Sequence, residues 1–262
     1  MSRRPDSHDA ARRLTILKFV ALHATTAMPR GMMQAIFEGG NEEEKANFTR
    51  EVEQTRNALQ NALRTHRLWD LVSPDERTFF STTAITMTQR QRIEASWRIE
   101  AALVLAWALR RIANLPPYDV DVNPQFLKSL PRDPSELIAT AELRPQAEID
   151  RRRDVAELWH WRSRTRELNE RGEPFPSNPD FRRRGLRSFD DIVRLAAAKA
   201  AQDGVIDQPI DGDFPAFGKA YRDLSEQEWA KIRSITMERH FALNWLCGHA
   251  PGGRWDETPT GT

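Results

Sequence analysis

Four side chains combine reactive chemistry with an unusual placement: Arg98 and Glu100 in one apolar stretch, and Arg239 and His240 in another. A carboxylate beside guanidinium and imidazole groups can serve as a general acid or base, because burial and neighbouring charge move its pKa toward the working pH. At 100° per residue, Glu100 shares a helical stripe with Ile93, Trp97, Val104 and Trp107. Arg98 lies next to the stripe of Ala101, Leu105, Leu109 and Ile112. Arg239 and His240 fall on the arc of Trp229, Ile232, Thr236, Leu243 and Cys247. A bare carboxylate on such a face is costly, so Glu100 needs a cation or a shifted pKa. The expectation is a buried Glu100–Arg239 pair with Arg98 and His240 nearby. Two roles stay open for it: a perturbed carboxyl that does chemistry, or an ion pair that sets how two helices register. Buried helices can carry the second without any cleft, which favours it.

Other chemical motifs fail on spacing. Gly212 to Gly218-Lys219 is too long for a phosphate loop, Ala220 stands where the Ser or Thr belongs, and Pro215 and Phe217 sit inside it. The histidines (8, 23, 66, 160, 240 and 249) do not pair at helical spacing, so no zinc site is expected. Asp207, Asp211 and Asp213 lack the Glu and the alternation of a calcium loop, and turn chemistry accounts for them. Cys247 sits at a helix C-terminus, where the dipole disfavours a thiolate, and reads as a small buried hydrophobe. No metal and no cofactor is expected.

Helices must position these groups. The first is expected over about 9–25, stopped by Pro29 and Gly31. Asn41 with Glu44, Ser73 with Glu76, Thr88 with Gln91, and Ser225 with Glu228 have the spacing of capping boxes, and Ser188 with Asp190 and Asp191 opens another helix. The helix after Thr88 is expected to run to about Asn114, stopped by Pro116-Pro117; its second half is apolar on all sides, as a central helix is. Asp133 opens a short helix, Pro145 restarts it, and Gly172 ends the restarted one. Gly204 and Gly248 stop the last two helices. Short strands are expected only around Val205-Ile206 and Ala216–Tyr221. The fold class is therefore all-α: a flexible tail over 1–8, then one helical domain over 9–262.

The two apolar stretches also resemble a known family. Ser96-Trp97-Arg98-Ile99-Glu100-Ala101, Leu103–Leu109 and Leu115-Pro116 resemble a bacterial family catalogued as domain of unknown function 4272. So do Arg239-His240-Phe241-Ala242-Leu243-Asn244-Trp245-Leu246 and Trp255–Pro259, with weaker likeness at Leu143-Arg144, Glu148-Ile149 and Asp213–Leu224. The resemblance brings no assigned activity. It implies a cytoplasmic bacterial protein and marks Arg98, Glu100, Arg239 and Asn244 as a structural polar core.

Composition narrows the partners. A net charge of +1 gives no overall attraction to nucleic acid or anionic lipid. The segment 144–187 is rich in arginine, densest at Arg151–Arg153 and Arg182–Arg184, but Arg153/Glu157 and Glu167/Arg171 are i,i+4 pairs of a solvated face. The longest apolar run, Ala101–Leu109, falls well short of the roughly 20 residues a bilayer requires. One cysteine fits a reducing compartment. Trp255, in a run of Gly and Pro, is expected to pin the C-terminal segment to the body near the helix ending at Cys247, with Asp256 and Glu257 meeting arginines. The function expected is a non-catalytic, protein-binding or accessory role, immunity-like by broad analogy. An enzyme built on Glu100, Arg98, Arg239 and His240, or a nucleic-acid binder through the Arg-rich segment, are the alternatives.

Overall fold

The computed structural model describes residues 3–26, 35–36, 38–176 and 178–261. Among the described residues, helix makes up 66% against one two-stranded sheet, so the fold is all-α. Residue contacts divide it into two compact units: Met1–Leu115, Val122–Ile149 and Phe241–Pro259 form the first, and Pro116–Asp121, Asp150–His240 and Thr260–Thr262 the second.

In the first unit, α1 (Ser7–Thr26) packs along α4 (Gln89–Ala108). Helices α2 (Glu42–Thr65) and α3 (Pro74–Ser81) close a core that includes Ile16, Val20, Phe48, Leu63, Leu68, Phe79 and Phe80. The three capping boxes form as their spacing dictates, at Asn41/Glu44, Ser73/Glu76 and Thr88/Gln91. The stop expected at Pro29 and Gly31 lies outside the described residues. From Ile99 to Leu109 every residue of α4 and its cap is buried. The first half departs from expectation: Ile93 is exposed and Trp97 only partly buried.

Helix α4 also ends earlier than the prolines suggested, at Ala108 rather than Asn114. Arg110 takes a left-handed backbone conformation (φ 59°), and the Arg111 N–H closes on the Ala106 carbonyl at 2.8 Å. A non-glycine residue resists this conformation by about 1–2 kcal/mol, so the end needs support, and Arg144 gives it. The Arg144 N–H donates to the Ala108 carbonyl (2.8 Å), Nε to Trp107 (2.7 Å), and Nη2 to Ile112 and Ala113 (both 3.0 Å).

Short helix α5 (Pro134–Ala139) follows, capped by Asp133. Then come α6 (Gln146–Glu170), α7 (Pro179–Arg183) and α8 (Phe189–Gln202), the last opened by a Ser188/Asp191 capping box. No strand forms at Val205-Ile206. The Ala216–Tyr221 stretch is a hairpin instead of a single strand: β1 (Pro215–Ala216) pairs with β2 (Lys219–Ala220) around Phe217 and Gly218, both at positive φ. A two-residue hairpin turn of type I′, whose twist matches that of the strands, has positive φ at both centres. Helix α9 (Glu226–Leu246) ends in a turn where Gly248 adopts φ 78° and the His249 N–H reaches the Asn244 carbonyl. A Cβ at Gly248 would lie 3.3 Å from the Arg4 Cα, so glycine is required there on both counts. No helix among the described residues is long and apolar enough to cross a membrane.

Arg144→Ala keeps the backbone N–H to Ala108 but leaves the carbonyls of Trp107, Ile112 and Ala113 short of a donor, and should lower stability by about 2–4 kcal/mol in urea titration. Arg144→Lys should recover less than half of that, since one ammonium cannot span all of them. A loss below about 0.5 kcal/mol would show that the end of α4 holds itself.

Candidate functional site

Glu100 and Arg239 are both completely buried, and each satisfies backbone of its own unit. In the first, Glu100 Oε1 accepts the Val122 N–H at 2.8 Å. In the second, Arg239 Nη1 donates to the carbonyls of Pro116 (2.6 Å) and Pro117 (3.2 Å), and Nη2 to that of Val120 (3.0 Å). Prolines have no N–H, so a segment containing two of them has carbonyls in excess, and a guanidinium fork offers enough donors to serve three. The Arg239 Cζ also lies 5.1 Å from the centre of the Tyr118 ring. Asp119 accepts the Phe217 N–H at 2.8 Å, and Asp121 pairs with Lys231 at 2.7 Å. The Pro116–Asp121 segment is thus fastened at each of its residues.

His240, also completely buried, places Nδ1 3.0 Å from Nδ1 of His160 on α6. Only one of the two nitrogens can carry a proton there. Burial pushes His160 down to about 4, and the charges of Arg164 and Arg233 add to this. Sequence spacing missed the pair because the partners are 80 positions apart. No group of three or more metal-ligating side chains assembles among the described residues.

The second unit contains a centre that sequence reasoning took for turn chemistry. Asp213 is buried and accepts from Arg162 Nε (2.7 Å), Arg162 Nη2 (2.6 Å), the Phe214 N–H (2.7 Å) and the Arg222 N–H (3.0 Å). Burial alone would raise its pKa, but the Arg162 hydrogen bond and charge and the two N–H groups hold it below the usual carboxylate value. Trp159 packs over this centre, stacked on Tyr118 and edge-on to Phe214.

The remaining candidates belong to the first unit. Arg98 is half-buried, with its Cζ 5.0 Å from the centre of the Phe241 ring. Asn244 donates to the Pro259 carbonyl at 2.8 Å. Trp255 is buried, edge-on to Phe241 and Trp245, with the Arg13 guanidinium 5.0 Å from its centroid. Glu257 pairs with Arg254, as expected. Asp256 does not meet an arginine in the described contacts; it accepts the Asp75 N–H (3.0 Å) in the first turn of α3, where a helix leaves donors unpaired. A second ion pair that the sequence did not reveal lies close by: buried Arg13 meets Glu76 at 2.7 Å and donates to the Leu71 carbonyl.

Along α6 the arginines are largely matched. Arg153 pairs with Glu157, Arg166 with Glu170, and Arg164 and Arg171 with Glu167. The same helix lines a 570 Å³ groove with Val155, Leu158 and Trp161, joined by Val205, and with Arg151, Asp154 and Glu157 at its edge.

The chain belongs to the family described as a domain of unknown function, DUF4272, whose model matches residues 3–183. The motif at Ser96–Leu109 lies within that match, and those at Arg239–Leu246 and Trp255–Pro259 lie beyond it. No curated protein and no solved structure matches the chain.

Arg239→Ala should cost about 3–5 kcal/mol, since three carbonyls lose their donor at roughly 1–3 kcal/mol each, and Arg239→Lys clearly less; an unchanged urea midpoint for the alanine variant would show that the 116–121 segment needs no clamp. His160 gives a pH dependence. Unfolded, it titrates near 6.5; folded, near 4. Between these values the unfolded chain binds the extra proton, so this contribution is complete above about pH 6.5 and is lost as pH falls toward 4. Denaturation midpoints measured from pH 7.5 to 4.5 should decline, and His160→Gln should flatten the decline. Asp213 acts only at lower pH, below its ordinary value of 3.8.

Proposed function

We propose that this chain is a non-catalytic binding protein of the bacterial cytoplasm that acts by holding another protein. The observation that carries the proposal is the groove along α6. Its floor is apolar with an aromatic side chain, Trp161, and its edge carries both signs of charge in Arg151, Asp154 and Glu157. That is the composition of a protein–protein contact: an apolar aromatic centre with arginine, surrounded by a polar rim. The occupant that fits is a protein segment inserting an apolar side chain while its own charges meet that mixed rim. An accessory or immunity-like role would take this form.

Two further points support this over the alternatives. An enzyme built on Glu100, Arg239 and His240 would have to expose them to substrate, whereas all three are fully buried with hydrogen bonds to backbone or to His160. A nucleic-acid surface needs uncompensated cations, whereas Glu157, Glu167 and Glu170 neutralise much of α6. A single, buried cysteine accords with a reducing compartment.

A photo-crosslinking amino acid at Leu158, expressed in the native host, should capture a partner of discrete mass. Trp161→Ala should weaken that partner by about 30-fold or more, the scale of an aromatic hot spot, while circular dichroism stays unchanged. Crosslinks that are absent, or unaffected by Trp161→Ala, would refute the proposal.

A further inference from the structure

Three cations of the first unit, Lys18, Lys128 and Arg132, line one cavity. Among the described residues no carboxylate pairs with any of them. They share a cavity of 510 Å³ between α1 and the 124–132 segment, and none of the described residues lining it is acidic. Its apolar wall is formed by Leu22, Leu127 and Leu130, and Ile99 of α4 lies beneath. Leu22 is 44% exposed on a helix whose other apolar residues are mostly buried.

Lys18 makes a single hydrogen bond, 3.3 Å to the Pro131 carbonyl, so its ammonium keeps two donors in reserve. Its half-buried position lowers its pKa by desolvation, with no neighbouring acid to offset it. A charge held partly out of water with spare donors, beside the exposed Leu22, is unfavourable on both counts. A ligand that carries an anion and a hydrocarbon body relieves both. The volume falls within the range of small-molecule sites, roughly 300–1,000 Å³.

We propose that this cavity binds a small amphipathic anion, a carboxylate on a hydrocarbon chain, with the carboxylate at Lys18 and Arg132 and the chain against Leu22, Leu127 and Leu130. Lys128 adds long-range attraction from the rim. The site is independent of the groove at Trp161 and of the partner bound there.

The test is calorimetric titration of the full chain with sodium decanoate below its micelle concentration, with decanol, decyltrimethylammonium and acetate as comparisons. Decanoate should bind one to one. Decanol and acetate should bind at least 10-fold more weakly, and decyltrimethylammonium not at all. Lys18→Gln combined with Arg132→Gln should weaken decanoate about 10-fold or more, and Leu127→Asp should abolish it, with thermal melting unchanged to within a few degrees. Absence of decanoate binding, equal affinity for decanol, or affinity unchanged in the double variant would overturn the proposal. An acidic amphipathic peptide that binds this cavity where decanoate does not would overturn it as well.

Discussion

Wherever a helix ends or a proline interrupts the chain, backbone carbonyls are left without intrahelical donors, and inside a core each must find another. In this chain arginine is the usual donor. Arg144 gathers the carbonyls released at the end of α4, and Arg239 those of the Pro116–Asp121 segment. Arg13 takes the Leu71 carbonyl, and Arg166 those of Tyr221 and Leu224. A guanidinium suits this task better than an ammonium: its donors lie in one rigid fork and its charge is weakly hydrated. The chain has only six lysines among its 39 basic residues, and much of the remainder acts on backbone as well as on acids.

The buried carboxylates answer the same constraint from the other side. Asp213 is tolerated because Arg162 grips both its oxygens while two N–H groups add to them. Glu76 combines a capping role, accepting the Ser73 N–H, with the ion pair to Arg13. An ion pair in the interior gains little by itself after desolvation. These pairs gain because each member also fixes a loop or a helix end. The C-terminal segment extends the pattern: Asp256 accepts from the first turn of α3, and Trp255 packs over Arg13, so one cation joins the start of the chain to its last aromatic residue within the first unit.

Which parts were legible in the sequence follows from the range of each interaction. Capping boxes depend on four consecutive residues, so the starts of α2, α3, α4, α8 and α9 could be read directly. The all-round burial of Ile99–Leu109 was equally plain, as an unbroken apolar run. The end of α4 was not, because its signals are an arginine in a glycine-like conformation and a side chain 36 positions beyond Ala108, at Arg144. Arg162–Asp213 and His160–His240 span 51 and 80 positions and leave no local trace. The hairpin was half legible: Gly218 marks a turn, but Phe217 at positive φ does not. Burial of Glu100, Arg239 and His240 was readable from helical arcs, since an arc is periodic, whereas Asn244 was marked only by the family resemblance; the carbonyls Arg239 serves were not readable, since a proline-rich segment has no period.

The same distinction separates structure from function in this molecule. A polar group that is buried with its hydrogen bonds made has its cost offset within the chain, and the fold explains its presence. Glu100, Arg239 and Asp213 are of this kind, however reactive their types. A group that is exposed or half-buried with its interactions unmade has a cost that the chain itself does not offset. The groove at Trp161 and the cavity at Lys18 contain groups of that second kind: one leaves aromatic surface half-exposed, and the other leaves cations beside the exposed Leu22. Their two chemistries differ, a mixed rim against a purely cationic one, and so would the partners that complete them. An unsatisfied surface group lowers its free energy by meeting something from outside, whereas a buried group with its hydrogen bonds made has already gained that within the fold.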